Sequence, residues 1–125
     1  MKVSQSTLEQ LLLDNVLDIR FTRRIQTKDK SPSRRMICTK SYDLLKTTNG
    51  RVILNYVPPK TAAHINEARA NVCVVFDILM QDYRTISLDN VEVLREMPAD
   101  DTFWKIFNDE IYPMSTEGKI QFMNS

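Results

Sequence analysis

Arg20, Arg23, Arg24, Lys28, Lys30, Arg34, Arg35 and Lys40 place eight cations within 21 residues of this chain, more than solubility alone requires. Guanidinium and ammonium groups at this density neutralise phosphates and release condensed counterions, so the chemistry they suggest is nucleic-acid binding with little sequence preference. Arg84, next to Tyr83, adds a cation and an aromatic ring from a distant stretch. Tyr42, Tyr56 and Tyr83 are candidate platforms on which the bases of a single strand would stack. The same cluster also reads as a solvated face, or as a docking site for an acidic protein.

Other kinds of chemistry find few residues to work with. The one histidine, His64, has no cysteine or second histidine near it in sequence, so a metal site of ordinary ligand spacing is not written here. Gly50 and Gly118 are the only glycines, too few for a dinucleotide fingerprint or a phosphate-cradling loop. A serine or cysteine nucleophile would have only His64 as its base, and no elbow motif frames any serine. The expectation is a chain that is not an enzyme and carries no cofactor or metal.

The elements that must position the cations follow from periodicity. The run Val72-Cys73-Val74-Val75-Phe76 reads as a buried strand, and Arg84–Leu88 as its hairpin partner. Ile86 and Leu88 share one parity while Val91 and Val93 share the other, so Asp89-Asn90 must absorb an odd step. From Leu17 to Gln26 apolar and polar residues alternate, predicting a half-exposed strand with Leu17, Ile19, Phe21 and Ile25 inward. Arg34–Thr39 is the returning strand, so the eight cations lie on the arms and tip of one hairpin. Asn49-Gly50 is the strongest turn dipeptide, and a strand over Arg51–Val57 is expected after it, stopped by Pro58-Pro59. Residues 60–70 are alanine-rich and have room for a helical turn or two.

Helices are expected at both ends. Ser6-Thr7-Leu8-Glu9 has capping-box spacing, and Leu8, Leu11 and Leu12 recur at helical intervals, predicting a helix over 7–14. Asp100-Asp101 cap a second helix over 101–111 with Phe103, Trp104, Phe107 and Ile111 on it. That aromatic face either packs on the strands or meets a protein partner. The tail, 113–125, is weakly patterned and expected to fray.

Length and composition bound the rest. At 125 residues, 42% hydrophobic and 26% charged, the chain reads as a single soluble domain over 1–125. No run approaches the roughly 18 apolar residues of a membrane span. The start, MKVSQSTLEQLLLDN, is too interrupted by polar residues for a signal peptide. Cys38 and Cys73 then read as buried small hydrophobes in a reduced cytoplasm. Residues 1–60 hold twelve Lys/Arg against five Asp/Glu, a balance of +7, and the remainder five against eleven, a balance of −6. Such asymmetry hints at an electrostatic partner.

The stretch NVCVVFD, a four-residue gap and then DYRTISLDNV resembles the WYL domains, small Sm-like, SH3-type β-barrels. Asp77, Asp82, Arg84, Thr85, Leu88 and Asp89 fall where that family's pattern has them, with Tyr83 as the aromatic before the arginine. The likeness covers about residues 17–94 and is nearest to stand-alone, single-domain phage relatives. It implies a mainly β fold: an antiparallel barrel of about five strands over 17–94 with a short helix at each end. Asn71-Val72-Cys73 stand where the family has its Trp-Tyr-Leu, and Ser87 and Asn90 stand where it often has arginine. The fold therefore carries over better than the ligand site.

The reading is a non-enzymatic, phage-type regulatory module. It binds single-stranded DNA or RNA through Arg20, Arg23, Arg24, Lys28, Lys30, Arg34, Arg35, Lys40, Tyr83 and Arg84. The alternative is a host-takeover or anti-defence factor docking on a host protein. A small-ligand sensor comes third.

Overall fold

The computed structural model describes residues 4–23, 28–29, 32–58, 72–88 and 90–125. Five strands form one antiparallel sheet: β1 (Asn15–Thr22), β2 (Ser33–Thr39), β3 (Val72–Asp77), β4 (Asp82–Ser87) and β5 (Glu92–Pro98). Their order across the sheet is β4-β3-β2-β1-β5. Helix α1 (Gln5–Asp14) precedes them, and α2 (Tyr42–Leu45) and α3 (Thr48–Ile53) lie between β2 and β3. After β5 come α4 (Asp101–Ile106), running on into one wide π-helical turn at Phe107–Ile111, and α5 (Thr116–Met123).

Alternation along the strands divides the interior into two cores. Leu17, Ile19 and Phe21 of β1 pack with Met36, Cys38, Cys73, Val75, Ile86 and Val93, closed over by Leu8 and Leu12 of α1. Val16, Ile37 and Phe76, of opposite parity, join Leu44, Leu45, Leu54, Phe103, Phe107 and Ile111. Burying a ring as completely as Phe103, with no exposed surface, contributes on the order of 2–3 kcal/mol. The aromatic face of α4 is thus packed on the sheet. Strand β1 departs from the half-exposed expectation because this second layer covers its other face: Val16 and Asp18 are buried.

Two odd steps keep the apolar residues facing inward. Ile86, Leu88, Val91 and Val93 all belong to the first core. The parity change between Leu88 and Val91 falls beside Asn90, whose φ is 59°. A second step was not anticipated: β1 pairs Ile19 with Val93 but Asp18 with Arg95, skipping Leu94. Val93 therefore faces the first core and Met97 the second.

Three local expectations are corrected. Helix α1 begins at Gln5, and its cap is Ser4, whose Oγ accepts the Thr7 N–H at 3.3 Å, so Ser6-Glu9 is not the cap. Asn49-Gly50 is helix, not a hairpin turn: α3 is capped by Thr47, and the expected strand 51–57 is absent. Gly50 serves close approach, since a Cβ there would overlap the backbone carbonyl of Leu45. Third, the tail forms α5, with Ser115 Oγ accepting the Gly118 N–H at 3.0 Å. The alanine-rich expectation over 60–70, with His64, lies outside the described residues.

Candidate binding cleft at the hairpin arginines

Strands β1 and β2 pair along their whole length, from Val16–Thr39 to Thr22–Ser33, and the Arg23 N–H donates to the Pro32 carbonyl at 2.8 Å just beyond. Strand β3 meets β2 only at Cys38–Asp77 and Thr39–Phe76. The outer half of β2, with Arg34 and Arg35, thus continues past the β3 pairing, and α5 packs against β2.

The cations on these strands are largely engaged by the chain's own carboxylates. Arg35 donates through Nε and Nη2 to both oxygens of buried Asp18, at 2.9 and 2.6 Å. These hydrogen bonds raise the Arg35 pKa against the effect of burial. Arg34 Nη2 donates to Asp77 Oδ2 at 2.7 Å, with side chains only 12% and 1% exposed. Arg20 meets Glu92 at 3.1 Å and Arg84 meets Asp82 at 3.2 Å, both near the surface. Among the described residues, at least four of the expected site residues are thus paired with the chain's own carboxylates. A strip of outward, uncompensated charge is not what these four form.

The remaining positions divide further. Arg23 Nη2 donates to Asn124 Oδ1 at 3.2 Å, and burial, followed by the charge of Arg34, lowers its pKa. Lys28 is exposed beside Asp29, and Lys40 is half-buried, its backbone N–H donating to the Leu12 carbonyl. Arg24 and Lys30 lie outside the described residues. The tyrosines are packed together rather than presented: Tyr56 is buried, and the Tyr83 ring lies edge-on to Phe76 at 5.6 Å and to Tyr56 at 6.3 Å. Tyr83 also donates its hydroxyl to the Val57 carbonyl, and burial, then its hydrogen bond with Tyr56, pushes the phenol pKa up. Tyr42 is partly buried against the second core.

Three arginines do converge. Arg23, Arg34 and Arg84 line a cleft of about 550 Å³ with Asp29, Met80, Ile120, Met123 and Asn124. One wall comes from the β3–β4 turn, which Asp77 shapes: its Oδ1 accepts the Met80 N–H at 3.1 Å and its carbonyl accepts the Gln81 N–H. Asp77 therefore both bends the turn and anchors Arg34. The opposite wall is α5. Met80 and Ile120 are 45% and 50% exposed, large apolar groups held at the surface beside guanidiniums.

The cleft joins residues that sequence reasoning named, Arg23, Arg34 and Arg84, to residues that it missed, Met80, Ile120, Met123 and Asn124. The cap at Ser115 was the one available signal for α5. Among the described residues, no cluster of three or more His, Cys, Asp or Glu has the arrangement to hold a metal ion. Among them, too, no helix is long and apolar enough to cross a membrane. Comparison of the chain with protein-family models, with curated proteins and with solved structures gives no match.

Proposed function

We propose that this chain is a non-enzymatic docking module that takes a segment of a partner protein into the cleft between the β1–β2 hairpin, the β3–β4 turn and α5. The observation that carries the reading is the lining: three guanidiniums interleaved with Met80, Met123 and Ile120 in one open cleft of about 550 Å³. Arginine and methionine are enriched at protein–protein interfaces, where a flat, weakly hydrated cation and a pliable thioether adapt to a partner. The likeness to WYL domains supports closure of the five strands into an Sm-like barrel, and with it a phage-type factor acting on a host protein. Nucleic acid is the second reading, favoured by one spot. Arg23 and Arg34 stand near enough for one charge to act on the other, a place where a phosphate would sit. It is second because Arg20, Arg34, Arg35 and Arg84 have internal carboxylate partners, and of the three candidate tyrosines Tyr56 is buried while Tyr42 and Tyr83 are partly buried.

The test is capture from nuclease-treated bacterial lysate by the wild-type chain and by the double variant M80E/R84A. A stoichiometric protein retained by the wild type and lost by the variant supports docking at the cleft. A protein held equally by both, or a catch that disappears with nuclease, overturns it.

A further inference from the structure

The charges around the cleft are balanced by the chain itself. Arg34 Nη2 is held by Asp77 Oδ2 at 2.7 Å, and Arg84 Nη1 by Asp82 Oδ2 at 3.2 Å and the Tyr83 carbonyl at 2.9 Å. Asp29 lines the cleft together with Arg23. Among the described residues, the guanidiniums of Arg23, Arg34 and Arg84 are thus matched by the carboxylates of Asp29, Asp77 and Asp82. A carboxylate brought in by a ligand would compete with those acids and be repelled by them. The occupant that this lining favours is uncharged.

What a paired arginine still offers is visible on β2. Arg35 gives its edge to Asp18, through Nε and Nη2, and its flat face to the Phe122 ring, centred 4.2 Å from the guanidinium carbon. The N–H bonds lie in the guanidinium plane, so an ion pair there leaves the face for a π system. Arg84 is likewise paired through its N–H groups, lines the cleft and has a side chain 35% exposed. Across the cleft from each other stand Met80 and Ile120, 45% and 50% exposed. A thioether makes favourable contacts with aromatic rings.

Met80 is held where it stands. Gln81, the next residue, has φ 55°, and Asn55 has φ 54°, a region that few side chains enter. Asn55 Nδ2 donates to Gln81 Oε1 at 2.7 Å, and Gln81 Nε2 donates to the Ile53 carbonyl at 3.2 Å. Asp77 Oδ1 accepts the Met80 N–H from the other side. We infer that the cleft receives one aromatic side chain of the partner segment, lying across Arg84 between Met80 and Ile120, with Asn55 and Gln81 as positioning residues for Met80. The inference rests on the docking reading and names its ligand class. Helix α5 stays in place and supplies one wall through Ile120 and Met123.

The experiment is an NMR titration of the methyl-labelled full chain with three blocked peptides, Gly-Gly-Trp-Gly-Gly and its Leu and Asp counterparts. The Trp peptide is expected to move the Met80 and Ile120 methyl signals upfield through its ring current. It should bind at least about five-fold more tightly than either counterpart. No shift at those methyls up to about 5 mM peptide overturns the inference. So does a Leu peptide that binds as well, which would mean apolar burial alone, or an Asp peptide that binds better, which would mean an anion site. These comparisons need no variant.

R84K keeps the charge but loses the flat face, and is expected to weaken the Trp peptide about three-fold or more. Unchanged affinity overturns the stacking on Arg84. Q81G suits the positive φ but removes both side-chain hydrogen bonds. It is expected to leave the β1–β3 amide signals in place and to weaken the Trp peptide, and equal affinity overturns the positioning role. Should Q81G disturb the sheet, N55A removes one of the same bonds and is read in the same way. The two proposals fail separately. Trp-peptide binding without any captured protein leaves the aromatic site and removes docking. A captured protein that the Trp peptide does not displace leaves docking and removes the aromatic site.

Discussion

Asp77 illustrates how one side chain carries several duties here. Its two carboxylate oxygens hold Arg34 Nη2 and the Met80 N–H while its side chain is 1% exposed. Neutralising it strands a guanidinium that is itself only 12% exposed, and breaking such a buried pair typically costs about 3–5 kcal/mol. D77N is therefore expected to lower the urea midpoint by the equivalent of about 3 kcal/mol, because the amide oxygen still serves the turn. D82N, at a carboxylate 66% exposed, is expected to cost less than about 1 kcal/mol. Equal losses would mean that burial does not set the strength of these pairs.

Cys38 gives the pH dependence. It has no exposed surface. Burial first, then the charges of Asp77, Cys73 and Asp18, raises its thiol pKa well above the ordinary value of 9.0, with Arg34 opposing. A folded pKa above the unfolded one means that the native state keeps a proton that the unfolded state has lost. Stability is thus fully present below pH 9 or so and declines as pH rises toward the folded value, at up to about 1.4 kcal/mol per pH unit. Urea midpoints measured upward from pH 8 or so should fall, and fall less steeply in C38A; parallel curves would remove the thiol as the cause.

Among the elements, what was legible in the sequence follows from how local the deciding force is. Strands β1 to β4 were readable because Leu17, Ile19 and Phe21, or Val72 through Phe76, carry their periodicity within a few residues. Asn49-Gly50 misled because the dipeptide records permission for a turn, whereas the chain uses Gly50 for its missing Cβ against Leu45. That contact comes from a helix whose four residues were too few to type. Helix α5 was not legible because what holds it, Arg35 over one ring and Arg34 beside one sulfur, lies on β2. Helix α1 was found but started from the wrong serine, since Ser6 with Glu9 has better motif spacing than Ser4, which does the capping. Substitution separates them: S4A should cost about 1 kcal/mol through the lost acceptor for Thr7, and S6A close to nothing. Thermal unfolding of the two variants decides it, and the reverse order would restore the capping box.

At the scale of the whole molecule, the contrast between +7 over residues 1–60 and −6 over the remainder is offset in part on folding. Arg20 finds Glu92, 72 residues on, and Arg34 finds Asp77, 43 residues on. Sequence asymmetry became internal pairing because β5 and β3 lie beside the hairpin strands in the sheet. No window of composition shows such a meeting. The consequence is measurable as a salt dependence. Single-strand binding weakens with a log–log slope of about −0.7 per phosphate neutralised, so eight outward cations would give a slope of roughly −5 to −6. The cleft arginines Arg23, Arg34 and Arg84, two of which already hold carboxylates, would give no more than about −2. Fluorescence anisotropy of a labelled oligothymidylate across a salt series is therefore expected to show weak binding with the shallow slope, lost in R23A/R84A. A steep slope that survives in that double variant would mean that Arg20 and Arg35 let go of Glu92 and Asp18 for phosphate. The hairpin, rather than the cleft, would then be the working surface.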